Sequence, residues 1–294
     1  MHLTEKDFKG LRKGQEVTGR LKEALIHSLA IREVNALRPH EETIQEAESK
    51  VAKSIIEAGS FTWPILADSR SGAILDGTHR WKLLKDFCFD FIPVQNIDSL
   101  KDAGVRIDVW CRVIYGISEE KFQETLRFFK FSIEPFDECS PIGKRPIVVS
   151  PNGKRYVIEE EEKFLALKQL ATLERALGIQ KFPAYEVYVD STGVSKYEEM
   201  PHVVVTYPPK LTRAEVVDAT SKGICFPPKS TRYIFPYRVY NIGVPLHKLR
   251  RGEKDATELT EELQEEQAKR RLIYLGKGID IDRHYEERMF KLED

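Results

Sequence analysis

The alternation of apolar and polar positions divides the chain into short strands and amphipathic helices. Residues 29–34 alternate loosely enough to be a strand, and Pro39-His40 then interrupts the pattern. From there Ile44, Ala47, Val51 and Ile55 share one helical face that closes at Ala58-Gly59. Residues 64–67 and 73–76 read as strands around the turn Ser69-Arg70-Ser71-Gly72. A helix over 80–87 follows, then strands over 92–97 and 105–114. Beyond Tyr115 the spacing predicts helices over 119–130 and 160–177. Strands are expected over 147–149, 156–158, 184–189 and 202–207, with a loop-rich stretch at 135–146. Thr212-Arg213-Ala214-Glu215 fits a capping box that opens a further helix, and 223–236 is proline-punctuated and irregular. From about 250 the chain is charge-rich at helical spacing to about Tyr274, with a tail over 280–294.

These elements predict a mixed α/β (α+β) fold in three parts. Residues 1–115 form a first α/β domain, 116–249 a second, and 250–294 a charged helical extension. On this reading the catalytic cleft lies between the first domain and the second half. The extension is separable, so a chain ending at Leu249 is expected to keep its chemistry.

Charge narrows the function. Lys plus Arg is 46 and Asp plus Glu 47, a net charge of -1 that gives no overall pull toward nucleic acid or acidic membranes. No run of eighteen apolar residues is present, so no membrane span is expected. The four cysteines (Cys88, Cys111, Cys139, Cys225) form no C-x-x-C pair, which argues against a zinc site or disulfide framework and for a cytoplasmic setting.

Three islands can carry chemistry. Arg38-Pro39-His40-Glu41-Glu42 places Glu41 at a helix start, where an acidic residue suits the dipole and where it could equally project into a cleft. Asp76-Gly77-Thr78-His79-Arg80-Trp81 carries a strand through glycine into a helix. The N–H groups of Gly77, Thr78 and His79 could hold phosphate oxygens, with Arg80 as a fork donor and Asp76 as a metal ligand or partner of His79. An Asp cap with a surface histidine would look the same. Pro227-Pro228-Lys229-Ser230-Thr231-Arg232-Tyr233 reads either as an anion-binding loop or as a basic surface loop.

In order and spacing the islands, with Trp63-Pro64 and Val109-Trp110, resemble the ParB/sulfiredoxin-like free L-serine kinases over about residues 30–245. The resemblance implies phosphorylation of L-serine to O-phospho-L-serine with ADP or ATP and Mg²⁺. It implies that Glu41 is the base for the serine hydroxyl, that Asp76 and His79 are the essential pair, and that Arg80 binds phosphate. Ser54, Trp110, Thr231 and Arg232 would hold serine or phosphoserine. Thr78 stands where some archaeal members have a second histidine, and the tail after about Leu249 has no counterpart. A ParB-type DNA clamp would want a basic helix-turn-helix, and a sulfiredoxin-type reductase would want a cysteine near Thr78. A serine or nucleotide sensor without turnover is the third alternative. Oligomeric state is not legible.

Overall fold

The computed structural model describes residues 3–136, 143–178, 186–191, 193–281 and 284–294. Cys139, most of the loop expected over 135–146 and the start of the strand expected at Ala184 lie outside the described residues. The chain forms two compact units. Unit 1 comprises residues 1–106, 213–225 and 233–294, and unit 2 comprises 107–212 and 226–232.

Unit 1 is built on a five-stranded mixed sheet. Its strands run in the order Leu29–Glu33, Phe91–Ile97, Ile65–Asp68, Ala73–Asp76 and Arg38–Pro39. The strand Phe91–Ile97 pairs antiparallel with Leu29–Glu33 and parallel with Ile65–Asp68. Arg38–Pro39 pairs parallel with Ala73–Asp76, which brings the first island beside the second. Helix Gln45–Ala58 stops at Gly59, whose φ of 62° is the left-handed geometry that glycine adopts without a Cβ penalty. The central strands are buried on both faces. Ile65, Ala67, Ile74, Ile92 and Val94 are fully sequestered, as expected for a sheet covered on both sides.

Residues 250–294 depart most from the sequence expectation. The helix is real but ends early, spanning Ala256–Lys269. Asp255 accepts from the N–H groups of Thr257 and Glu258, while Glu258 accepts from the N–H of Asp255. Arg271–Asp280 and His284–Glu293 then form an antiparallel hairpin. Two glycines at positive φ, Gly276 (112°) and Gly278 (66°), accompany register shifts in its first strand. They disfavour a helix there, and Leu272-Ile273-Tyr274 suits a strand. His284–Glu293 also pairs parallel with Tyr237–Tyr240. Helix Ala256–Lys269 lies along the edge strand Leu29–Glu33. Thr260 Oγ1 accepts from the N–H of Ile31 at 2.8 Å, and Gln264 donates to the Leu29 carbonyl at 2.8 Å. An open strand edge is thereby covered.

The tail is therefore core, not appendage. Leu272, Phe290 and Leu292 are fully buried in one cluster with Leu25, Leu29, Phe61, Ile92 and Val239. Each such side chain contributes about 1.5–3 kcal/mol, against a total stability of about 5–15 kcal/mol for a whole domain. A chain cut after Leu249 is expected to give no cooperatively folded protein, measured by circular dichroism and thermal melting. A sharp melting transition in the truncated chain would refute this.

Unit 2 carries a six-stranded sheet in the order Glu186–Asp190, Trp110–Tyr115, Val203–Tyr207, Ile147–Val149, Arg155–Ile158 and Ile133–Pro135. Every pairing is antiparallel. Helices Glu119–Phe129 and Lys163–Leu177 pack Phe122, Leu126, Leu170, Leu173 and Leu177 with Ile114, Val148 and Val204. The single strand expected over 105–114 is two, Arg106–Asp108 and Trp110–Tyr115. The stretch expected to be irregular holds a further strand, Arg232–Ile234. A boundary at residue 115 and another at 249 do not describe these units. The chain passes between them at 106–107, 212–213, 225–226 and 232–233.

Candidate functional site

In unit 1 the strand Ala73–Asp76 delivers Asp76 to Gly77, which caps helix Thr78–Asp86 at φ 100°. A Cβ at Gly77 would meet Ile65 Cγ2 at 2.6 Å and the Arg80 guanidinium at 2.7 Å, so backbone and arginine approach closely only because the residue is glycine. The first N–H groups of this helix have no intrahelical acceptor and sit at the positive end of its dipole. Such a terminus suits phosphate.

Around it the side chains are held. Arg80 Nη1 donates to the Trp63 carbonyl at 3.2 Å, and Nη2 lies 4.0 Å from Asp76 Oδ2. Arg238 donates from Nη1 to the same Asp76 oxygen. His79 Nε2 accepts the N–H of Ile44 at 3.0 Å, which leaves Nδ1 to carry the proton of a neutral ring. Ile44 caps helix Gln45–Ala58, so this bond ties the first island to the second.

Glu41 is 14 % exposed, and its Oε1 lies 3.5 Å from His40 Nε2. His40 is buried, and its Nδ1–H donates to the Ile74 carbonyl, two residues before Asp76. The Tyr233 ring stands edge-on to His40 at 5.8 Å, and its hydroxyl is buried without a hydrogen-bond partner among the described residues. Burial, then the charges of Glu41 and Asp68, push that phenol up. Cys225 donates to the Pro39 carbonyl at 3.4 Å, and burial followed by Glu42 and Glu41 pushes its thiol up as well. A thiol so placed is a poor nucleophile.

In unit 2, Lys229 and Arg232 of the third island lie beside Trp110. The guanidinium of Arg232 lies 5.0 Å from the centre of the Trp110 ring, and Lys229 Nζ lies 5.8 Å from it. Arg232 Nη1 is 3.9 Å from Asp108 Oδ2. Thr231 is buried beside it. The loop is anchored from below, because Arg112 donates to the Pro228 carbonyl at 2.7 Å while its Nε pairs with buried Glu174 at 2.8 Å. Ser54 is different. It stands exposed on helix Gln45–Ala58 and forms no side-chain hydrogen bond among the described residues.

Asp76 supplies one carboxylate, and no group of three or more His, Cys, Asp or Glu side chains among the described residues could hold a metal ion. That donor set suits Mg²⁺ arriving on nucleotide phosphates, which commonly takes only one or two protein carboxylates. Sequence reasoning gave no separate role to His40 and Tyr233, which stand in its islands, and missed Arg238 and Glu287. Arg238 had one signal, a charge within the otherwise apolar strand Tyr237–Tyr240.

No model of a known protein family matches the chain. Over 234 residues it is 25% identical to an ATP-dependent L-serine kinase of Staphylothermus marinus, covering 74% of this chain and 90% of that protein. It is 23% identical over 234 residues to the ADP-dependent L-serine kinase SerK of Thermococcus kodakarensis, covering 74% and 91%. This chain therefore carries residues outside both matches. Among solved structures, a free serine kinase in complex with AMP superposes with a TM-score of 0.63 at 21% identity, covering 81% of this chain and 95% of that one. No helix among the described residues is long and apolar enough to cross a membrane. With its islands in order and its fold shared with that kinase, the chain is similar in sequence and fold to the ParB/sulfiredoxin-like free serine kinases.

Proposed function

We propose that the protein is a kinase of free L-serine that forms O-phospho-L-serine from ADP or ATP. The observation that carries the reading is the bond from Ile44 N–H to His79, which fixes the Glu41 segment against a glycine-capped phosphate turn. Phosphoryl transfer asks a protein for position and charge complementarity more than for covalent chemistry. The N–H groups of Gly77, Thr78 and His79 and the Arg80 guanidinium would bind phosphate oxygens. His79, neutral and protonated on Nδ1, would donate one hydrogen bond to the transferring group. Glu41 would take the proton from the serine hydroxyl as the serine Oγ–P bond forms and the nucleotide's bridging P–O bond breaks, releasing AMP or ADP. Mg²⁺ would supply further neutralisation of phosphate charge, with Asp76 the carboxylate to hold it.

In unit 2, Trp110, Thr231 and Arg232 would hold the amino acid, Arg232 facing its carboxylate. Ser54 is the weakest member of the proposed serine set because of its exposed position. The direct test is to incubate the protein and L-serine with ADP and ATP in parallel and measure phosphoserine. Formation with either nucleotide is expected, and none with both would refute the reading and favour a sensor.

Arg232→Ala is expected to raise the serine KM by about tenfold or more, the scale of a lost charge-assisted hydrogen bond. Arg232→Lys should restore part of it, since lysine keeps the charge and lacks the planar fork. Steady-state kinetics at saturating nucleotide would read this. An unchanged KM in the alanine variant would remove the loop from the serine site.

A further inference from the structure

Two side chains of the C-terminal hairpin reach the phosphate turn by separate routes. The first route is ionic. Arg238 is 4 % exposed, and it donates from Nη1 to Asp76 and from Nε to Glu287 Oε1 at 2.9 Å. Glu287, in strand His284–Glu293, is 6 % exposed. A guanidinium is a rigid plane, so fixing Nε fixes the direction in which Nη1 points. The rings of Phe235 and Tyr285 lie 4.9 and 5.4 Å from its centre and restrict any swing. The second route is aromatic. Tyr285 stacks on Trp63 at 5.3 Å and 10°, and Tyr240 stacks on Trp63 at 4.4 Å and 14°. The Trp63 carbonyl is the acceptor for Arg80. One hairpin thus bears on both charged ends of the turn, Asp76 through Arg238 and Arg80 through Trp63.

We propose that Glu287 is a positioning residue of the phosphoryl-transfer site. It draws on one edge of the Arg238 guanidinium, so that Arg238 grips Asp76 through Nη1 and holds its carboxylate in the orientation the turn uses. Without the Glu287 charge, the hold on Nε weakens and the direction in which Nη1 meets Asp76 is less firmly set. The hairpin then belongs to the catalytic machinery as well as to the core. This rests on the reading of the Asp76–Arg80 turn as the phosphoryl site.

The test is a kinetic double-mutant cycle in the full chain, with Glu287→Gln, Asp76→Asn and the pair. Glu287→Gln keeps the volume and an acceptor while removing the charge. It is expected to lower kcat by about 10- to 100-fold, the cost of a small misplacement. Serine KM should stay within about twofold, and Glu287→Asp should recover part of kcat. The double variant should be no slower than Asp76→Asn alone, because groups acting through one another are not additive. Losses that multiply would mark a general weakening of the fold and overturn the proposal. Normal kcat in Glu287→Gln beside a crippled Asp76→Asn would overturn it while leaving the site reading intact. Normal kcat in Asp76→Asn would overturn the site reading and the proposal together. If Glu287→Gln does not fold by circular dichroism, Glu287→Asp, which keeps the charge and shortens its reach, takes its place in the same cycle, with a smaller loss of kcat and the same non-additivity expected; losses that multiply would again overturn the proposal.

Discussion

Glu41→Gln is expected to lower kcat for phosphoserine formation by about 10²–10⁴-fold, the usual contribution of a positioned base. The amide keeps the shape of the side chain and its neighbour His40, so nucleotide affinity should stay within about twofold. The geometry supports this split. Glu41 is 14 % exposed and contacts His40, whereas the turn that would bind phosphate is built from other residues. Nucleotide binding measured by calorimetry beside single-turnover rates would separate the two effects. A variant with near-normal kcat would exclude Glu41 as the base and leave it an acidic residue near a helix start.

His79→Ala and Asp76→Asn should each lower kcat by about 10²-fold or more while changing serine KM little. For His79 the reason is double. Its Nε2 anchors the Ile44 N–H, and on the proposed reading its Nδ1–H donates to the transferring group. Removing the ring takes away a donor to the transferring group, and losing one such donor typically costs about 10²–10³-fold. It also frees the segment that carries Glu41. For Asp76, the amide keeps the size and weakens both the Arg238 pair and the approach of Arg80. Full kinetics in serine and in nucleotide would decide. A variant that raised only the serine KM would make the turn a serine site.

Much of the site was readable from the chain because its parts are local. Asp76 to Arg80 are consecutive, and strand, glycine and helix follow from residue type alone. The bond from the Ile44 N–H to His79 was not readable, since nothing in local spacing pairs residues 35 apart. The partners of Asp76 were invisible for a stronger reason. Arg238 lies 162 residues away, and Glu287 is 49 further on. The C-terminal hairpin was misread because its buried positions, Tyr285, Glu287 and Met289 and then, one step out of phase, Phe290 and Leu292, alternate with Glu286, Arg288 and Lys291, so charge density masked a period of two. The domain boundaries failed because a reading along the chain assumes contiguous units, and here 213–225 and 233–294 return to the first. Ser54 was matched by position, yet it stands exposed on its helix.

The return of residues 233–294 to unit 1 has a consequence for biosynthesis. Translation runs from the N-terminus, and domains tend to fold as they emerge. Here the order of completion is inverted. Nearly all of unit 2 is made by residue 212 and the rest by 232, so it can fold while later codons are still being read. Unit 1, begun first, lacks Leu272, Phe290 and Leu292 until the hairpin is synthesised. Its sheet edge at Leu29–Glu33 also stays uncovered until helix Ala256–Lys269 arrives. The nascent chain therefore carries an exposed strand edge and an open apolar layer through most of its synthesis, the interval in which a holding chaperone would bind it.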